Sequence, residues 1–386
     1  MPFELVEQPV AGADAFEQSS DAALLSQAAL LVAVGAKIRN LQSIEESDLQ
    51  AVKVPPRIRG LVKAEVVLMT PDSTRERLVR ELGARNFPPD IGTRVQPRAI
   101  AEIVRILETD ASPQWIAGFF EAALRHPNEL IRVAAAAAYQ GFTSERQRIL
   151  GILIEGTFSD ETLIRDLAAV ALAQADPGNA RLTGLESKSM AAGGGQPSHT
   201  TLLVHGTFAR NEAWWQSGGD FHSCLTTLLP ALPRAPRWDA PYAAADRFEW
   251  TGGYAAEKRS VAADDLVQWA DSHHAQGLDL IAHSYGGNVA MLATTRGLRV
   301  RELILLSCPA LPDIYLPDFG HVSKRVVSFR VHMDVVLIAD SYLSGALARF
   351  PEGQITENML PLWFNHSLTH SPSVWKNAKY RIPGVP

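Results

Sequence analysis

Leu278-Asp-Leu-Ile-Ala-His-Ser-Tyr-Gly-Gly-Asn288 decides how the carboxy-terminal half of the chain is read. Leu278 to Ala282 is a short apolar run of the kind that forms a buried strand, and a helix is predicted from Gly286 to Arg296. Between them, Ala282-His283-Ser284-Tyr285-Gly286 has small residues two positions either side of a serine. A serine held in a sharp strand-to-helix elbow needs that spacing, because larger side chains there would strike the neighbouring backbone. The turn exposes the hydroxyl at the end of a sheet and at the start of a helix.

Working outward, alternating strands and helices are predicted on both sides of the elbow. Thr200–Val204 is a strand, Gly219–Leu229 a helix and Arg247–Trp250 a short strand. An amphipathic helix runs from Ala255 to His274, with Val261, Leu266, Val267 and Trp269 available for its buried face. Strands Glu302–Leu306 and Arg325–Val331 follow. Such β-α-β alternation implies an α/β fold, a mostly parallel sheet with helices on both faces.

A serine hydroxyl is a weak nucleophile until a base takes its proton, and the base needs an orienting acid. Asp334 follows the last of these strands directly, where a carboxylate would face the same rim as Ser284. Asp313 and Asp340 are its rivals, and capping a helix is the structural alternative for Asp334 itself. Asn365-His-Ser-Leu-Thr-His-Ser-Pro-Ser-Val-Trp375 offers His366 as base, with His370 as the alternative. An oxyanion would need two backbone N–H donors. Tyr285 supplies one, and Thr207 in His205-Gly-Thr-Phe208 the other, with Phe208 second. Phe208, Trp214 and Trp215 line a substrate pocket or, equally, anchor their loop to the core. His205 and His283 read as structural neighbours of their turns. His366 and His370 stand four apart, but Ser367 occupies the position where a helical zinc motif needs Glu, so no metal is expected.

Leu203-Val-His-Gly-Thr, Ile281-Ala-His-Ser-Tyr-Gly-Gly-Asn, His332-Met-Asp334 and the His366 segment together resemble the α/β-hydrolase superfamily, more narrowly its lipases and esterases. The resemblance covers about residues 199–386. It implies a Ser284–His366–Asp334 triad, an oxyanion hole from the Thr207 and Tyr285 amides, and cleavage of a carboxylic ester, possibly of a lipid, through an acyl-enzyme. No cofactor is implied. The core is short for the family and begins at its third strand, without a long cap insertion. Acyl transfer to an alcohol other than water would use the same triad.

The rest of the chain has a different character. The whole chain has 386 residues, enough for two or three domains. With 46% hydrophobic and 20% charged residues it is a folding sequence, and a net charge of −6 with mixed signs gives no reason to expect nucleic acid. Two cysteines, Cys224 and Cys308, exclude a disulfide framework and suit a reducing cytoplasm. The amino terminus lacks a basic secretory n-region. The apolar run Ala22–Ala36 is too short to span a bilayer comfortably and reads as a buried helix.

Residues 1–95 form a helical amino-terminal region, with a turn at Val54-Pro-Pro-Arg and a second helix start at Thr70-Pro-Asp-Ser. Residues 96–180 are helical and alanine-rich. Asn128-Glu-Leu-Ile-Arg-Val-Ala-Ala and Glu161-Thr-Leu-Ile-Arg-Asp-Leu-Ala-Ala share Leu-Ile-Arg followed by small residues, and resemble HEAT-type helical repeats at a shorter period than the usual ~40 residues. An ordinary alanine-rich bundle is the alternative. A protein partner is the expected occupant of such a surface, and a scaffold protein carrying an inactive hydrolase fold is the rival to an enzyme. Gly- and Ser-rich residues 181–198 form a flexible linker between the halves.

Overall fold

The computed structural model describes residues 120–121, 123–140, 145–186, 200–232, 238–332, 334–344, 350–351 and 353–377, together with Leu24, Leu25, Ala28, Ala29, Leu31, Val32, Gly35 and Ala36. They divide between two compact units. The first draws on Met1–Pro177, His332–Ser344 and Pro361–Asn365; the second on Gly178–Val331, Gly345–Leu360 and His366–Pro386. The expected elements at Val54 and Thr70 lie outside the described residues.

The first unit is helical. Helices α1 (Glu129–Tyr139), α2 (Arg146–Gly156) and α3 (Thr162–Ala175) pack on one another. Small residues allow this. Ala134 to Ala138 are all buried, and a Cβ on Gly156 would lie 2.7 Å from Val133 and 2.9 Å from Ala168. The described positions between Leu24 and Ala36 are helical, and Gly35 meets Ala138 with no room for a side chain.

The two Leu-Ile-Arg segments are alike in geometry as well as in sequence. Arg132 donates to the carbonyls of His126 and Pro127, six and five residues earlier, at 2.9 and 2.7 Å. Arg165, 33 residues later, does the same to Ser159 and Asp160 at 2.7 and 2.8 Å. Each guanidinium therefore ties the turn before its helix to the helix itself.

The stretch expected as linker opens with structure. Helix α4 (Ala180–Leu185) is capped by the Asn179 side chain and buries Leu182. The Asn cap and apolar spacing outweigh the lone Gly184 in that segment.

The second unit is built on five strands in the order β1-β2-β3-β4-β5: Thr201–Val204, Leu278–His283, Val300–Leu306, Val322–His332 and Thr356–Trp363. β1–β2, β2–β3 and β3–β4 pair in parallel. β1, β2 and β3 are buried along their whole length, as parallel strands covered on both faces must be. Helices α5 (Asp220–Ala231), α6 (Ala256–Ser272) and α7 (Tyr285–Thr295) lie between strands in sequence, α7 packing on α6 and on β2. Helix α8 (Val335–Ser344) follows β4 and belongs to the first unit, where Gln174 donates to the Ala339 carbonyl at 3.1 Å. The chain closes with a 3-10 turn, His366–His370, and α9, Pro372–Lys376.

Two expected features differ. Arg247–Trp250 is not a strand. Pro241 and Tyr242 take the position beside β1, the Tyr242 amide donating to Thr201 at 2.8 Å, so the later segment has no ladder to join. Its Phe248 and Trp250 are buried as side chains instead, and the Trp250 indole donates to the His205 carbonyl at 2.8 Å. In α6 the buried face runs through Ala262, Ala263, Leu266 and Trp269, whereas Val261 is 57% exposed.

Charge inside the sheet comes in pairs. Asp279 on β2, fully buried, accepts from the Arg301 guanidinium through both oxygens, with Nε at 2.8 Å. Arg325 meets Glu302 at 3.0 Å, and Arg330 meets Glu357 at 2.8 Å. Removing one partner of a buried pair strands the other charge. Asp279→Ala is therefore expected to cost ~3–5 kcal/mol in urea denaturation followed by tryptophan fluorescence. Arg125→Ala, which breaks an exposed pair with Glu121, should change stability by less than ~0.5 kcal/mol.

Candidate active site

Ser284 ends β2 and precedes α7 with φ 52° and ψ −135°, a left-handed backbone that costs a residue with a side chain of order 1–3 kcal/mol. Its amide donates to the Leu306 carbonyl at the end of β3, 2.8 Å away, and its carbonyl accepts from Gly287 at 2.9 Å. The spacing of small residues has a visible cause. A Cβ on Gly286 would strike the carbonyl oxygens of Val204 and His205, and one on Gly206 would lie 2.8 Å from the Ser284 Cβ. The loop leaving β1 thus passes directly against the serine turn.

That loop is held from the other side by the segment 250–253. Phe208, itself at φ 60°, donates its amide to Gly252 at 2.9 Å, so its N–H is already committed. The Thr207 amide has no acceptor among the described residues, and its buried hydroxyl has none either. Tyr285 opens α7, so its N–H belongs to the first turn, whose amides point out of the helix end where the dipole is positive.

The two tryptophans pack inward. Trp215 donates to the Ala209 carbonyl at 2.8 Å and lies 4.5 Å from the His205 ring. Trp214 stacks on His370 at 4.2 Å and meets the His283 edge at 5.5 Å. Both rings anchor their loop. Phe208 is half-buried.

The histidines form a tight group. His283 lies 4.7 Å from His366 and 4.5 Å from His370, ring to ring. Sequence reasoning treated His283 as a bystander, because a residue preceding the serine carries no signal of what will fold against it. Complete burial holds its pKa well down, helped by the two neighbouring imidazoles; neither ring nitrogen has a hydrogen bond of ordinary geometry, although the His366 carbonyl close by opposes the shift. Burial also takes His370 to about 3 and His205 to about 3.

His366 is held by a residue the sequence did not single out. Ser307, at φ 45° just past β3, donates to the His366 carbonyl at 2.9 Å and lies 3.1 Å from the Thr369 hydroxyl. The Trp375 indole then donates to Thr369 at 2.7 Å. Ser284 Oγ makes no hydrogen bond with His366 or His370. Asp334 is buried and accepts the amides of Val336 and Leu337 at 3.1 and 3.2 Å, capping α8. Asp340, one of its rivals, is buried within α8, and Asp313 is exposed in the loop after β3. Among the described residues no three His, Cys, Asp or Glu side chains are grouped to hold a metal ion.

No family model matches the chain, and no curated protein does. A crystal structure of an uncharacterized protein from Bacillus cereus ATCC 10987 is 14% identical over 71% of this chain and 93% of that one, with a TM-score of 0.24. A likeness of that degree carries no argument about fold or function. Among the described residues no helix is long and apolar enough to cross a membrane.

The buried histidines set a pH dependence. A histidine with folded pKa below its unfolded value of about 6.5 leaves the native state with fewer bound protons than the unfolded chain. Stability is then complete above about 6.5 and lost as pH falls toward about 3, each group contributing up to about 1.4 kcal/mol per pH unit in that window. Urea midpoints should decline from pH 7 to pH 4. His370→Phe, which keeps a ring against Trp214, should flatten the decline.

Proposed function

We propose that the second unit carries an α/β-hydrolase-type site that cleaves a carboxylic ester, with Ser284 as nucleophile. The single observation behind this is the backbone of Ser284: a non-glycine residue held at φ 52° between a buried strand and a helix amino terminus. Strain of that kind persists only where the surroundings over-determine it, and it collects at functional turns. The Thr207 and Tyr285 amides are the proposed oxyanion donors.

His366 is the proposed base, and His370 the alternative. A general base works best with a pKa near the operating pH, and burial beneath Trp214 takes His370 far below it. His366, also buried, opens the same 3-10 turn, and Ser307 holds its carbonyl. The acid that the resemblance implies, Asp334, belongs to the first unit, where it caps α8. In this mechanism His366 takes the serine proton as Oγ attacks the ester carbonyl, returns it to the leaving alcohol, and then activates water against the acyl-enzyme. An apolar acyl ester, such as a lipid, is the favoured substrate, and transfer to another alcohol is the variant that product analysis separates. The two buried free thiols suit a cytoplasmic protein.

One observation favours a second reading. Ser284 Oγ has no histidine partner. In a scaffold protein that uses its repeated helices for a partner and its hydrolase fold as a support, it would never gain one. In an enzyme such bonds are often long without substrate and close on binding.

A fluorophosphonate probe distinguishes the readings. Labelling of the wild type that vanishes in Ser284→Ala, with ester turnover reduced by up to about a million-fold, is the expected result. A wild type that neither labels nor hydrolyses short or long nitrophenyl esters would favour the scaffold.

A further inference from the structure

Buried arginines in the second unit have carboxylate partners, with one exception. Arg301 pairs with Asp279 and Arg330 with Glu357. Arg259, at 7% exposure on the first turn of α6, has no carboxylate partner among the described residues. Its Nε donates to the Tyr315 hydroxyl at 3.1 Å and Nη1 to the Tyr254 carbonyl. Three rings surround the guanidinium: Tyr285 at 4.0 Å, Tyr315 at 5.5 Å and Tyr254 at 6.0 Å.

A guanidinium has five N–H donors, and these contacts use two. Aromatic faces attract the cation but accept no strong in-plane hydrogen bonds, so the fork remains unfilled. Its position is informative. Tyr285 directly follows Ser284, Tyr315 lies in the loop leaving β3, and Tyr254 belongs to the segment whose Gly252 holds the Phe208 loop. Tyr285 and Tyr315 follow the carboxyl ends of β2 and β3, the side on which open α/β sheets bind ligands, and both are buried there with Tyr254 packed against them. The preceding residues Ala256, Glu257 and Lys258 are exposed, and Tyr254 is half-buried.

We propose that Arg259 is an anion-recognising subsite of the Ser284 centre: the substrate carries, besides its ester, a carboxylate or phosphate group that docks on this guanidinium. The proposal rests on the ester-hydrolase reading and narrows its substrate class. The anion supplies the missing counter-charge and the planar acceptors the fork lacks, while the tyrosines hold the fork in place before binding.

The test compares the mono-4-nitrophenyl ester of adipic acid with 4-nitrophenyl hexanoate, equal in chain length and different in terminal charge. The wild type should favour the adipate ester in kcat/KM by about ten- to a hundred-fold at low salt. Arg259→Gln should collapse that ratio, and Arg259→Lys should keep part of it. Competitive inhibition by free adipate against inorganic phosphate then separates a carboxylate from a phosphate ligand. Equal use of both esters by the wild type would overturn the proposal, as would an Arg259→Gln variant that slows both by one factor, the behaviour of a structural strut. If Arg259→Gln does not fold, the wild-type ratio and the Arg259→Lys variant decide. If the wild type neither labels with fluorophosphonate nor hydrolyses either ester, the hydrolase reading fails. The anion site is then judged by thermal shift alone: stabilisation of the wild type by adipate or phosphate, weakened in Arg259→Lys, upholds it, and no shift removes it.

Discussion

The close passage of two backbones organises the second unit. The loop leaving β1 runs so near the turn leaving β2 that neither Gly206 nor Gly286 has room for a Cβ. That contact forces small residues onto both segments and holds Ser284 in a conformation it would otherwise avoid. The hydrogen bond from Ser284 to Leu306 secures the same turn from the β3 side. A turn gripped by strands on both sides can store strain that a free loop would release.

The surroundings of this turn are buried and aromatic. Trp214, Trp215 and Trp250 enclose His205, His283 and His370, and burial keeps these imidazoles neutral. Neutral rings can pack at 4.5–4.7 Å without repelling one another. On another side Arg259 is held among tyrosines. Charge–charge interactions in such a buried neighbourhood are stronger than they would be in water.

What was legible in the sequence follows from the range of the forces involved. The elbow could be read because its constraint is local: five residues encode the contact their own backbone makes. The parallel sheet could be read from the order in which strands and helices alternate along the chain. Arg247–Trp250 misled because a strand pattern says nothing about whether a neighbouring edge is vacant, and Pro241 had taken it. Val261 was assigned inward because one helical face offers several apolar candidates and only the packed partner selects among them. Arg259 was invisible. A charged residue on an amphipathic helix reads as solvated, and nothing local announces that three tyrosines from distant segments will close over it. Ser307 was missed for the same reason, since its role depends on a turn about sixty residues further along the chain.

The end of β3 carries a consequence of its own. Leu306 receives the Ser284 amide, and the very next residue, Ser307, holds the carbonyl of His366. Two segments widely separated in sequence thus hang from adjacent residues at the end of one buried strand, one from a peptide carbonyl and the other from a side-chain hydroxyl. Their mutual distance is set by a single residue's geometry rather than by the lengths of the connections between them. Insertions into the loop after Cys308, or before β5, would lengthen the path without moving either end. A lineage could therefore reshape the rim and alter what binds there while inheriting the spacing of the serine and histidine segments unchanged.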